Sequence, residues 1–297
     1  MFEYMPTHIA PWGIEIVIYF FLIGTASMVF AVAAGPATFG RVADPFKNFQ
    51  ITGAIVTLVL LVIVGPLLIA DLGQPWRFLN PILYFRWTSP LSWGATFLLL
   101  FGLSVLGFLY GTYTSHPGMQ RFTAVVGTLL ALSMPLYTGL DLMVNQARAL
   151  WSNPTIPVLF VVLSITSGAA LVAVVQMVMG KFTDEVARLV RFILAFSLGV
   201  TFFLFLGLVQ SMTFGAAEVQ QAYDFINQDY AMQFWLLTFV IGIVLPLVLV
   251  AGPMVLPAMD FARSPVVVTV AGLCGALGAY ELRDVLIHAG QLPQLFY

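Results

Sequence analysis

Eight apolar runs, each long enough to cross a lipid bilayer, constrain this chain more than any other feature of its sequence. A helix rising about 1.5 Å per residue needs roughly 20 apolar residues to traverse about 30 Å of hydrocarbon. Runs of that length occupy 14–36, 51–71, 91–113, 121–142, 155–180, 192–217, 231–259 and 264–288. Only 8% of the residues are charged, where a soluble domain carries about 25%. Open strands are excluded as spanning elements, because lipid cannot satisfy a sheet edge. The expected fold is an all-α integral membrane protein of eight transmembrane helices in a single membrane domain, 1–297. Short connections make neighbours antiparallel, as two four-helix bundles over 14–142 and 155–288. The net charge of −2 gives no footprint for nucleic acid, so the lipid bilayer is the environment that composition implies. A single cysteine, Cys274, excludes a thiolate cluster or a disulfide framework. No basic segment precedes the first run, which continues as a full span, so no cleavable signal peptide is expected.

An even number of spans puts both ends of the chain on one face, here called the terminal face. That face carries Arg77, Arg86, Arg148 and Arg283, four cations, against seven on the other: Arg41, Lys47, Arg121, Lys181, Arg188, Arg191 and Arg263. Cytoplasmic loops carry the excess of Lys and Arg, so the terminal face is expected outside, toward a periplasm. All six tryptophans, Trp12, Trp76, Trp87, Trp93, Trp151 and Trp235, fall on that same face. Aromatic belts normally decorate both interfaces, so a one-sided set points to a docking surface.

Ionisable groups in spans are costly and mark functional sites, and here they converge in the outer third toward the terminal face. Glu15 and Tyr19 share one face of the first helix, being four residues apart. Asp71 ends the second helix, Tyr137 and Asp141 end the fourth, and Gln210 lies late in the sixth. Glu281, Asp284 and His288 form a stripe near the end of the eighth, with Arg283 beside it. Quinone chemistry needs such a set: a Tyr or His donor for a carbonyl, and carboxylates to relay two protons. Desolvated carboxylates can carry raised pKa values, and an arginine can hold one ionised. The remaining two-thirds of the membrane contains no charged residue within a span, so no carboxylate wire crosses it. The three histidines, His8, His116 and His288, cannot supply an intramembrane pair for bis-histidine haem. With neither haem nor metal expected in the chain, electrons must pass to or from another subunit. A proton or small-solute transporter, or a structural anchor whose quinone site lies on a partner, are the competing readings. The apolar midplane weighs against transport.

Four segments resemble the NrfD/PsrC membrane subunits. They are YFFLIG at 19–24, DLGQPWRFLNPILYFRWTSPLSWG at 71–94, YTGLDLMVNQARALWSNPTIP at 137–157, and LRDVLIHAGQ at 282–291. The resemblance implies a quinone-interacting anchor, using menaquinone or ubiquinone, in the cytoplasmic membrane of a bacterium or archaeon. It implies a ferredoxin-like iron–sulfur subunit as partner and a molybdenum or tungsten catalytic subunit beyond it, in anaerobic respiration. On that reading Tyr137, Tyr19, His288, Arg283 and Gln210 contact the quinone. Glu15, Asp71, Asp141 and Glu281, with Tyr137, handle protons. Arg77, Trp76, Arg86, Trp87, Arg148 and Trp151 dock the partner. Two positions depart from the pattern: Asp141 stands where the family usually has an apolar residue, and Tyr19 where some members have His.

Overall fold

The computed structural model describes residues 12–40, 46–71 and 74–291, without the side chains of Ala70, Asp71, Pro257 and Asp260. Eight of its helices are long and apolar enough to cross a membrane, and the protein is a multi-span, all-α membrane protein. The helices are α1 Ile14–Thr38, α2 Phe46–Asp71, the short α3 Asn80–Leu83, α4 Pro90–Tyr113, α5 Pro117–Met143, α6 Thr155–Val178 and α7 Asp184–Thr213. They continue with α8 Ala217–Asp229, α9 Leu245–Val255 and α10 Pro265–Ala289. The seventh crossing is composite, because a π-helical segment, Met232–Val244, runs directly into α9. Pro246, in the first turn of α9, has no N–H to give the preceding turn, and such helices re-satisfy freed carbonyls by local π adjustment.

Proline sets several helix starts. Pro90, Pro117 and Pro265 each open a helix, where a missing N–H costs nothing. Ser89 and Ser264 cap their helices by accepting from the N–H groups of Ser92 and Val267. The crossings match the apolar runs, but their ends on the basic face differ. α2, α5 and α7 begin at residues 46, 117 and 184 rather than 51, 121 and 192. Asp184, Glu185, Arg188 and Arg191 therefore lie in the first two turns of α7, whose acidic pair suits the positive end of the helix dipole. The amphipathic α8, absent from the expected elements, lies between two spans at the terminal face and buries Ala222 and Ile226.

α1 is the most enclosed helix and packs on α2, α5, α6 and α10, so it joins both halves of the chain. Lipid tails give no hydrophobic drive for helix association, so close approach of small residues and interhelical hydrogen bonds carry it. A Cβ on Gly278 would meet the backbone of Gly242, and one on Gly272 would meet Ala170. Hydroxyl pairs span the core: Thr25 with Ser167 at 2.8 Å and Thr166 with Ser197 at 2.9 Å. Gln120 donates to Gln50 at 2.8 Å, and Thr57 donates to the Ala26 carbonyl at 3.2 Å.

Candidate functional site

Two helices bring a pair of phenols face to face beneath the terminal face. Tyr19, just over one turn into α1, and Tyr137, late in α5, are buried and hydrogen-bonded hydroxyl to hydroxyl. In such a pair one hydroxyl donates to the other, and the acceptor keeps its own O–H free for a third group. Asp141 is one turn beyond Tyr137 and lies within Coulombic range of both phenols. Its side chain is half-buried, and its backbone carbonyl accepts from Asn145 at 2.8 Å. Glu15, one turn before Tyr19, is exposed at the mouth of α1. The Tyr137 ring lies directly on Gly94, the last residue of the 71–94 segment, where any Cβ would strike Cδ2, Cε2 and Cζ. Asp71 ends α2, but its side chain, like His8, lies outside the described residues.

Arg283 stands apart from that pair and is fully buried. Its guanidinium donates to the carbonyls of Ala279 and Phe160 at 2.7 and 3.0 Å, and to the Ser164 hydroxyl at 2.7 Å. It also lies over the rings of Phe160 and Phe21, 4.9 and 6.0 Å from their centroids. Gly24 of α1 makes room for it, since a Cβ there would meet Ser164 and the guanidinium. Among the described residues no carboxylate pairs with Arg283, and its Nε has no hydrogen-bond partner.

The other residues of the α10 stripe gather elsewhere. His288 Nδ1 hydrogen-bonds the backbone carbonyl oxygen of Asp284 one turn earlier at 3.0 Å, lies 3.2 Å from its Oδ1, and the ring stacks on Tyr230 with ring centroids 6.4 Å apart. Burial, with the Asp284 and Asp229 carboxylates, holds the Tyr230 phenol above its ordinary range. Glu281 is half-buried two turns before His288, and Gln210 is exposed on the flank of α7. The structure thus resolves the expected single cluster into three: Tyr19–Tyr137–Asp141, buried Arg283, and Asp284–His288–Tyr230. Tyr230 lay in no apolar run, and only its place one residue after the amphipathic α8 could have marked it.

The docking residues divide as well. Trp76 and Trp87 are each 77% exposed, and Arg77 and Arg86 are exposed beside them. Phe78, Leu79, Leu83 and Tyr84 extend the same apolar surface. Trp93 donates to the Trp87 carbonyl at 3.0 Å and packs edge-on to Phe85 and Trp87, which fixes the loop to α4. Trp151 is a correction to the expected surface, and Arg148 is half-buried. Trp151 is 4% exposed, donates to the Leu286 carbonyl at 2.8 Å and stacks on Trp12. Arg148 donates to the Gln291 carbonyl at 2.7 Å, and the Gln291 amide brackets the Trp12 backbone. Both residues fasten the start of α1 and the end of α10 to the α5–α6 connection, because a buried indole N–H needs an acceptor.

Comparison with known proteins gives the family. The sequence is 26% identical to "Protein NrfD" of Escherichia coli, over 95% of both proteins. It is 25% identical to the C polypeptide of the polysulfide reductase of Wolinella succinogenes, over 94% of both. It is also 25% identical to the "Hdr-like menaquinol oxidoreductase integral membrane subunit" of Archaeoglobus fulgidus, over 95% of this protein and 71% of that one. The profile of the family described as "Polysulphide reductase, NrfD" matches residues 3–293, nearly the whole sequence, and the protein belongs to that family.

Proposed function

We propose that this protein is the quinone-reactive membrane subunit of a respiratory oxidoreductase complex. The observation that carries the reading is the buried Tyr19–Tyr137 pair with Asp141 one turn away. The donor set fits a quinone head, because the pair leaves one O–H to donate to a carbonyl oxygen. A bound quinone supplies a ring that takes up or releases two electrons and two protons. Tyr137 and Tyr19 orient the carbonyl, and Asp141, half-buried between the phenols and the terminal face, holds or passes a proton. Glu15 lies at the mouth of the same helix, on the route from water. The names of relatives support the assignment: one is a menaquinol oxidoreductase subunit and another a polypeptide of a polysulfide reductase.

The exposed aromatic and arginine surface of residues 74–88 is the docking site for an iron–sulfur subunit, with a molybdenum or tungsten catalytic subunit beyond. Contiguous exposed apolar surface of that kind marks an interaction site. The terminal face is placed outward. Arg283 is fully buried rather than interfacial, which leaves three cations at that face against seven at or near the helix ends opposite.

The test is quinol-linked turnover by the complex carrying Tyr137→Phe or Asp141→Asn. Removal of a proton-transfer group costs about 10²-fold or more, and both variants keep their assembly because neither changes side-chain volume appreciably. Unchanged kinetics in both would sink the assignment.

A further inference from the structure

Charge on the terminal face is sorted by position. No Asp or Glu occurs between residues 72 and 140, and no Lys or Arg between residues 192 and 262. The stretch 74–88 is therefore free of carboxylates, and the connection that holds α8 is free of cations. The fold keeps the two apart. α3 packs on α4 and the 75–77 turn on α2, whereas α8 packs on α7 and α10, and α1 stands between the two groups. Arg77 and Arg86 are exposed, and neither makes an ion pair or a side-chain hydrogen bond among the described residues. Glu218, Asp224 and Asp229 are exposed on α8, whose apolar side is turned to the protein through Ala222 and Ile226.

The basic end also offers an anchor. Trp87 is exposed but held: Phe85 and Trp93 meet its ring with centroids 5.3 and 5.2 Å away, and the Trp93 indole donates to its carbonyl. A tryptophan already fixed in place loses little freedom when a partner covers it, and such residues dominate interfaces. One residue past Trp93, Gly94 carries the ring of Tyr137. Whatever docks on this end stands over the phenol pair.

We propose, resting on the assignment of residues 74–88 as the docking site, that the iron–sulfur partner presents an acidic surface there. Arg77 and Arg86 draw it, Trp87 anchors it, and like charge keeps it off α8. Guanidinium groups pair with carboxylates through a planar fork. Complementary fields steer the encounter, and like charges exclude the wrong placement. A carrier docked on α8 would stand over α7 and α10, away from Tyr137.

The experiment isolates the native complex in detergent through a tag on the full-length protein. The iron–sulfur subunit is counted per membrane subunit by iron content and visible absorbance. Parallel isolations at about 0.05 and about 0.5 M NaCl compare weak with strong screening. Wild type retains less of the subunit at the higher salt. Arg77→Glu with Arg86→Glu retains about 10-fold less than wild type at low salt and more at high salt than at low, because screening then relieves repulsion. Arg77→Lys with Arg86→Lys keeps the wild-type trend. Glu218→Gln with Asp224→Asn retains at least as much as wild type, and Trp87→Ala loses the subunit at both salts. Full retention at low salt by the reversed-charge variant, or release by the α8 variant, would overturn the acidic partner. If Trp87→Ala still releases the subunit in that case, the docking assignment stands. If Trp87→Ala and the reversed-charge variant both retain it, the surface is an aromatic belt facing lipid and both readings fall.

Discussion

Replacing Gly94 with alanine tests the link between the 71–94 segment and the phenol pair. A Cβ at position 94 would sit 2.5, 2.6 and 2.9 Å from Cε2, Cδ2 and Cζ of Tyr137, where ordinary contact begins near 3.4 Å. The ring must therefore retreat by close to an ångström. It cannot swing into open space, since Tyr137 is 5% exposed and its hydroxyl is tied to Tyr19. Overpacking of this kind costs about 1–3 kcal/mol, and separating the phenols adds about 1–3 kcal/mol for each buried hydroxyl left unpaired. Gly94→Ala should thus lower stability by about 2–6 kcal/mol where one hydroxyl is left unpaired and depress quinol-linked turnover. The same helix contains its own control. A Cβ at Gly102 meets nothing within 4 Å, so Gly102→Ala should be neutral or stabilising by roughly 0.5–1 kcal/mol. Thermal unfolding in detergent, read beside turnover, decides the matter. Equal melting temperatures for the two alanine variants would refute the claim that this glycine exists to admit the Tyr137 ring.

Three further outcomes follow from the same contacts. Arg283→Lys should be less stable than Arg283→Met. The lysine keeps a buried charge but loses the planar fork that reaches Ala279, Phe160 and Ser164 together, whereas methionine removes the charge; thermal unfolding that ranks them the other way refutes this. Trp151→Phe removes the bond to Leu286 and leaves that carbonyl short of a partner, at a cost of about 1–3 kcal/mol; it should lower the melting temperature without changing partner affinity in a pull-down. Trp87→Ala with Arg86→Ala should do the reverse, weakening retention of the partner subunit in purified complex while leaving the stability of the free protein within about 1 kcal/mol of wild type.

The crossings were legible because lipid imposes one demand, an unbroken apolar stretch, that hydropathy reads directly. Their basic-face ends were not, because α7 starts on Asp184, Glu185, Arg188 and Arg191, which hydropathy assigns to a loop and the helix dipole and cap assign to a first turn. α8 escaped for a similar reason: its mean polarity hides the spacing of Val219, Ala222, Tyr223 and Ile226, which is that of an amphipathic helix. Within the site, the i, i+4 relation of Tyr137 and Asp141 was readable from sequence. The partnership of Tyr137 with Tyr19, 118 residues away, depends on how α1 and α5 are rotated against each other. Rotation also separates Arg283 from Asp284. Successive residues lie about 100° apart on a helix, so one faces α6 and the other Tyr230. The apolar neighbours Ala279, Leu286 and Ile287, three or four residues from Arg283 and so on its side of the helix, were the available sign that it points inward.

Glycine is what turns the recognisable segments of this sequence into geometry, and it does so by absence of volume rather than by flexibility. Among the described glycines only Gly40 and Gly180 have positive φ, and neither lies in those segments. Gly94 gives way to Tyr137, Gly24 to Ser164 and Arg283, Gly290 to Trp151, and Gly139 to the backbone of Pro157. In each case the glycine lets a ring, a guanidinium or a neighbouring backbone come against a helix backbone. In lipid that close approach is itself the main source of helix association. The contacts that position the phenol pair and the arginine are therefore the contacts that hold α1, α4, α5, α6 and α10 together. Changes at these glycines should degrade fold and turnover in step. A change confined to a phenol oxygen, such as Tyr137→Phe, falls mainly on turnover, because it leaves every packing contact of the ring in place and costs the fold only about 1–3 kcal/mol for one unpaired Tyr19 hydroxyl.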